Sequence, residues 1–193
     1  MVGYGGNVYF FDVMSTLIYD PFLHDVPKGL GMSLHEFLSD KDGTAWIDFE
    51  KGLIDEEGFA KRFSKDGQQA YRMRDIIWEN YRWIDGMQEL LRLLREQGAV
   101  ICTLSNYPIW YEELDSRMKL SDFVDHHFVS YRIGHRKPSA QTYQIPLQQM
   151  NCAPKDAIFI DDREVNCAAA RELGMKGIRF YNTQKLREDL CLI

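Results

Sequence analysis

VYFFDVMST, residues 8–16, decides the fold of this chain. Four apolar residues without polar alternation describe a parallel strand buried on both faces, and Asp12 stands where that strand ends. A bare carboxylate buried there would be very costly, so Asp12 must be solvated, paired or bound to a metal. Similar apolar runs recur at 99–104, 128–131, 157–160 and 177–180. Helical patterns separate them. One covers 86–97, with apolar Met87, Leu90, Leu91, Leu93 and Leu94 between Asp85 as cap and Gly98 as stop; others cover 109–118 and 164–173, the latter closed by Gly174. A pattern at 140–150 contains Pro146, which is expected to kink or shorten it. Alternating strand and helix is the signature of an α/β fold, a Rossmann-like parallel sheet with crossover helices.

The stretch between the first strand and the helix at 86 has no strand pattern and reads as an all-helical insertion. Ser33 and Glu36 form a capping box, Asp55 opens a second helix and 68–83 a third. The expected division is a core of residues 1–19 and 83–193 with a helical cap at 20–82. Aromatics crowd the insertion, among them Phe22, Phe37, Trp46, Phe49, Phe59, Phe63, Tyr71, Trp78, Tyr81 and Trp83. They fill a helical bundle, and a few could line a pocket for a flat ligand.

At 193 residues and 45% hydrophobic content, the chain can bury one core plus a small accessory element. Its net charge of −6 and pI near 5.4 argue against nucleic acid or anionic membrane as partner, since both need a broad basic surface. The four widely spaced cysteines lack CxxC pairing and are expected as reduced thiols of a cytosol-like compartment. No apolar run approaches a membrane span, and residues 1–7 are too short and polar for a signal peptide. The chain as given reads as cytoplasmic; a plastid form whose transit segment has been removed would look the same.

In an open parallel sheet, ligands bind beyond the carboxyl ends of the strands, so residues far apart in sequence can meet there. Ser105-Asn106, Lys137-Pro138 and Asp161-Asp162 join Asp12 at such positions. Asp12 is read as an in-line nucleophile that accepts a phosphoryl group to give an aspartyl phosphate, which water hydrolyses. Asp161 and Asp162 beside Asp12 would repel it unless a cation sat among them, and hard oxygen ligands select magnesium. Asp162 is the preferred direct ligand; Asp161 is a second ligand or an outer partner. At Ser105 and Asn106 a hydroxyl and local main-chain N–H groups can bind phosphoryl oxygens, although Ser-Asn is also a common turn or cap. Pro138 keeps Lys137 extended, and the ammonium can neutralise the phosphoryl group and Asp12 together, with Ser139 capping the helix that follows. Histidine gives no metal site: His126 and His127 point to opposite faces of a strand, and His35 and His135 lack ligand spacing. His24 is a candidate acid or base of the insertion.

In its order of Asp nucleophile, Ser or Thr, Lys and paired acids, the chain resembles the haloacid dehalogenase superfamily over nearly its whole length. Asn166, Ala168, Ala169, Gly174 and Met175 continue that resemblance after the acidic pair. It implies a magnesium-dependent phosphatase acting on a small phosphorylated metabolite, with the insertion closing over the site and selecting the substrate. It also implies the main-chain carbonyl of Met14 as a metal ligand, a contact any side chain at that position preserves. One departure matters. Phosphatases of the superfamily carry a second Asp two positions after the nucleophile, where this chain has Met14. A non-catalytic phospholigand-binding domain or a phosphonatase-like or dehalogenase-like hydrolase therefore stands as the alternative. Several stretches are similar to plant-type plastid flavin mononucleotide (FMN) hydrolases: Asp12-Val13-Met14, Asp20-Pro21-Phe22, Asp25-Val26-Pro27, residues 46–54, and residues 106–111. They make FMN the leading substrate, since its flat ring system can stack on aromatic side chains.

Overall fold

The structure is a computed structural model that describes residues 7–39, 42–64 and 67–192. Of the N-terminal segment read above for a signal peptide, residues 1–6 lie outside the described residues. Five strands, β1 (Val8–Phe11), β2 (Val100–Ser105), β3 (His126–Val129), β4 (Ala157–Asp161) and β5 (Lys176–Arg179), form one parallel sheet in the order β3-β2-β1-β4-β5. The central strand β1 is buried throughout because successive side chains leave opposite faces. Tyr9 and Phe11 enter one hydrophobic core with Leu90, Leu91 and Leu94; Val8 and Phe10 enter the other with Tyr143, Leu147 and Phe159.

Between β1 and the next strand lie six helices: α1 (Asp25–Leu30), α2 (Leu34–Ser39), α3 (Ala45–Glu50), α4 (Glu56–Phe63), α5 (Gln68–Asn80) and α6 (Met87–Glu96). The capping box is present, with Ser33 N donating to Glu36 Oε2 and Glu36 N to Ser33 Oγ. Asp55 caps α4 by accepting from Gly58 N. Phe37, Phe49, Phe59 and Phe63 are buried against one another and against Trp46, Tyr107 and Trp110, so most aromatics of the insertion are core. The chain enters and leaves the insertion side by side: Ile18 bridges Trp83, and Tyr19 N donates to Arg82 O at 2.9 Å.

The sheet continues through α7 (Tyr111–Met118), α8 (Ser130–Ile133), α9 (Ala140–Gln149), α10 (Glu164–Glu172) and α11 (Thr183–Asp189). Several sequence expectations shift. The strand expected at 128–131 is His126–Val129, because Ser130 starts a helical turn and its buried hydroxyl accepts from Tyr107 N. The third helix of the insertion ends at Asn80, since Tyr81 turns extended to lead the chain back to Ile18. Helix α6 is not capped by the Asp85 side chain; Gly86 holds its N-terminus at φ 78°, a conformation glycine adopts without steric cost. Pro146 does not shorten α9, which runs on to Gln149 with Pro146 buried beside Tyr143 and Leu147. The Ser139 hydroxyl donates to Gln141 Oε1 rather than capping that helix. All four cysteines are free thiols, and among the described residues no helix is long and apolar enough to cross a membrane.

Candidate active site

Asp12 follows β1, Asp161 closes β4, Ser105 closes β2 and Lys137 lies in the turn before α9, so four distant segments converge at one sheet edge. Lys137 is buried and fully engaged. Its Nζ donates to Asp12 Oδ1 at 2.8 Å, Asp161 Oδ2 at 2.7 Å and Leu104 O at 2.6 Å. Burial alone would lower this ammonium, yet Asp12 and Asp161 hold it above its ordinary value, so it stays charged. Asp12 shows the opposite balance. Burial pushes its carboxyl up to about 7, against the pull of Lys137 and with the push of Asp161 and Asp162. Its Oδ2 has no hydrogen-bond partner among the described residues.

Asp161 is the most enclosed of the acids. Besides Lys137, it accepts from Arg163 N at 2.8 Å and from Asn166 Nδ2 at 3.0 Å on both oxygens. Asp162 is half-buried and raised by burial and by Asp161. Oxygens of Asp12, Asp161 and Asp162 lie within 4.8 Å of one another. Three carboxylates around one lysine leave excess negative charge, and the donors are all hard oxygen, which suits magnesium. The Met14 carbonyl accepts no hydrogen bond among the described residues, so it is available as a further ligand. The residues present therefore fit a magnesium ion, with Asp162 less occupied by protein donors than Asp161.

The adjoining cleft has a volume of about 170 Å³. Asp12, Met14, Asn106, Lys137 and Asp162 line it; Ser105 and Asp161 are buried just behind its wall. The Ser105 hydroxyl is buried without a hydrogen-bond partner among the described residues. The Asn106 side chain has a role the sequence did not show: its Oδ1 accepts from Lys137 N at 2.7 Å and its Nδ2 donates to Lys137 O at 3.0 Å. That carboxamide clamps the main chain that carries the lysine. His24 is exposed and lines an adjoining cleft, not this one.

Sequence reasoning missed one wall of the cleft. Glu50, at the end of α3, accepts from Trp46 Nε1 at 2.7 Å and from Arg136 Nε at 2.8 Å, joining the insertion to the residue beside Lys137. Burial raises the Glu50 carboxyl, while Arg136 and Trp46 oppose the rise. The available signal was the Trp46-to-Glu50 spacing, one turn of helix on one face. Phe22, Trp46 and Tyr107 supply the aromatic lining, so a few of the insertion's aromatics do face the pocket.

An Asp held by a buried Lys, with an acidic pair beside it at the carboxyl edge of a parallel sheet, is an arrangement suited to phosphoryl transfer. The chain belongs to the haloacid dehalogenase-like hydrolase family, whose profile matches residues 8–174. It is 41% identical over 182 residues to the chloroplastic flavin mononucleotide hydrolase 1 of Arabidopsis thaliana, covering 93% of this chain and 74% of the relative. A sesquiterpene phosphatase of Aspergillus oryzae is 28% identical over 146 residues, covering 72% and 73%. Among solved structures, an enzyme of the same family from Bacteroides thetaiotaomicron, in complex with magnesium and inorganic phosphate, superposes with a TM-score of 0.73. Its sequence identity is 21%, with 93% of this chain and 96% of that one covered, which fixes the shared fold. By family and relatives the chain is a phosphoric monoester hydrolase.

Proposed function

We propose that this chain is a magnesium-dependent phosphatase that hydrolyses a small phosphomonoester, FMN in the first place, through a phosphorylated Asp12. The observation that carries the reading is the Lys137 bridge, which fixes Asp12 Oδ1 and leaves Oδ2 without a protein partner. Asp12 Oδ2 attacks phosphorus in line with the ester oxygen. Lys137 holds the carboxylate in place and offsets the charge gathering on the phosphoryl oxygens. Ser105 donates its free hydroxyl to one of those oxygens. Asn106 acts through the lysine whose main chain it clamps. Bound among Asp12, the Met14 carbonyl and Asp162, with Asp161 as ligand or outer partner, magnesium would supply further charge neutralisation.

The helical insertion, residues 20–82, acts as a cap. Glu50 and Arg136 join it to the core, as does Trp110, whose Nε1 donates to Glu56 Oε1 at 2.9 Å. FMN is favoured by the 41% identity to the Arabidopsis hydrolase and by the aromatic lining. At about 170 Å³ the cleft is smaller than ordinary ligand pockets of about 300–1,000 Å³. It accommodates the phosphate and part of the ribityl chain, and the ring system requires the cap to open or the mouth to receive it. A plastid location is part of this reading and rests on that of the Arabidopsis relative.

The test is phosphate release from FMN, an alkyl phosphonate and a haloacid, each with magnesium and after chelation. Release from FMN that chelation abolishes is expected. Halide release or phosphonate cleavage in its place would shift the reading to those hydrolases, and binding without any turnover would make the chain a phospholigand-binding domain.

A further inference from the structure

The leaving group of an alkyl phosphate needs a proton as its bond to phosphorus breaks, and Met14 has none to give. The groups that line the cleft can be taken in turn. Lys137 is held by two carboxylates and a carbonyl. Arg136 and Arg163 keep their protons at any working pH. Tyr107 shares a hydrogen bond with Tyr81 at 2.6 Å, and burial drives its hydroxyl well above its ordinary value. Glu50 has one oxygen on Trp46 and the other on Arg136. Asp162 belongs to the metal cluster, and Ser15, Asn106 and Asn166 are not acids at neutral pH.

Asp20 remains. It is half-buried and lines the cleft with Asp12 and Met14. Its Oδ1 accepts from Phe22 N at 2.9 Å, which fixes the side chain, and its Oδ2 has no partner among the described residues. Together with Ser15 it also lines the neighbouring cleft that holds His24, so it stands between the reaction site and a second route to water.

We propose that Asp20 is the general acid that replaces the carboxyl missing at position 14. As Asp12 Oδ2 bonds to phosphorus, the phosphorus–ester oxygen bond breaks with its electron pair on the ester oxygen. That oxygen takes the Asp20 proton and leaves as the alcohol, giving aspartyl phosphate and an Asp20 carboxylate. In the second step water attacks phosphorus, its proton passes to Asp20, and inorganic phosphate and the Asp12 carboxylate are restored. Burial raises the Asp20 carboxyl, opposed by the Phe22 N–H and His24, which favours the protonated form the first step needs. The groups that surround it are His24 on its own segment, Tyr81 after α5 and Tyr107 after β2, with Glu50, Arg136, Arg163 and Asp162 on the other walls of the cleft.

This inference rests on the phosphatase reading, and the experiment separates the two. FMN, an alkyl ester, and p-nitrophenyl phosphate, whose leaving group needs little protonation, are compared in magnesium across pH for wild type, Asp20→Asn, Asp20→Glu and the double variant Asp20→Asn with Met14→Asp. Asp20→Asn keeps the acceptor for Phe22 N–H; Asp20→Ser is the second neutral variant, and circular dichroism confirms folding of each. Loss of the acid is expected to lower kcat/KM on FMN by about 10²-fold or more and on the aryl ester by less than about tenfold. The alkaline fall of the FMN profile should vanish with it. Asp20→Glu and the added Asp at position 14 should each restore FMN turnover selectively. Equal losses on both esters, or an alkaline limb that survives in both neutral variants, overturns the role of Asp20 while leaving the phosphatase intact. A wild type that frees phosphate from neither ester overturns the phosphatase reading itself.

Discussion

Asp12→Asn is expected to stabilise the metal-free protein above pH 7 while abolishing turnover. The Asp12 carboxyl, ordinarily at 3.8, is raised by burial to about 7 in the folded chain. Below pH 3.8 it is protonated whether folded or unfolded, and folding carries no penalty. As pH rises from there the unfolded chain ionises first, so stability falls, and the full loss is reached above 7. At about 1.4 kcal/mol per pK unit the shift corresponds to about 4 kcal/mol. The amide removes that burden and still accepts from Lys137 Nζ through Oδ1, but a neutral acceptor forfeits about 1–2 kcal/mol of the charged hydrogen bond. A net gain of about 2 kcal/mol, or about 4–8 °C in Tm for a chain of this size, is expected at pH 8 in EDTA. At pH 4 the difference should disappear. Magnesium at about 100 times its Kd adds about 2.7 kcal/mol to the wild type and less to the amide, so the gap should close. Thermal melts monitored by circular dichroism, with and without magnesium, decide it. An Asp12→Asn protein that melts at or below the wild type at pH 8 in EDTA would refute the claim that burial and its acidic neighbours strain this carboxylate.

Asp162→Ala should weaken magnesium binding and turnover together, with partial rescue at high metal, measured by titration calorimetry and phosphate release; undiminished activity of chelated wild type would remove the metal from the reaction. Ser105→Ala removes one hydrogen bond to a charged oxygen, worth about 1.5–3 kcal/mol, and should lower kcat/KM by about 10- to 100-fold with the fold intact. Arg136→Met strands the buried Glu50 carboxylate and should cost about 3–5 kcal/mol in denaturant unfolding, whereas adding Glu50→Gln should recover much of it. His127, which burial lowers below 6.5, is accepted into the fold neutral. Stability it contributes is present above 6.5 and falls as pH drops through that range, a slope that His127→Gln should flatten in melts at pH 5 and 7.

The sheet and the gathering of candidate site residues at its edge were legible because both depend on local signals. A buried parallel strand is a short apolar run, and Asp12, Ser105 and Asp161 sit at or next to the ends of such runs whatever the rest of the chain does. The chemistry of two adjacent acids opposite a third then calls for a cation without knowledge of the fold. What escaped depends on distant partners. The Trp46-to-Glu50 spacing marks a shared helix face but not a place in the cleft, since the arginine that engages Glu50 is 86 positions away. The grip of the Asn106 side chain on the Lys137 main chain escaped because it spans 31 positions. The end of β3 was misplaced for the same reason: Ser130 has hydrogen-bonding partners in the loop after β2 and at the end of α3.

The location of the acid changes what the cap can control. A carboxyl two positions after the nucleophile would sit in the same turn as Asp12 and be held by the core in every state of the protein. Asp20 instead lies just past the isolated bridge between Ile18 and Trp83, on the segment that leads into the insertion. Its surroundings are drawn from both parts: Phe22, Trp46 and Glu50 lie in the helical insertion and Tyr81 just after α5, whereas Met14, Asn106 and Tyr107 lie beside the sheet. With Asp20 as proton donor, protonation of the leaving group would depend on how the insertion is held against the core, here through Glu50–Arg136 and Glu56–Trp110. A phosphate ester too small to engage the insertion would then bind at the sheet edge without its alcohol being expelled. Under the Asp20 proposal, selectivity for a large alkyl ester would arise in the chemical step, from contacts remote from phosphorus, and not only from binding.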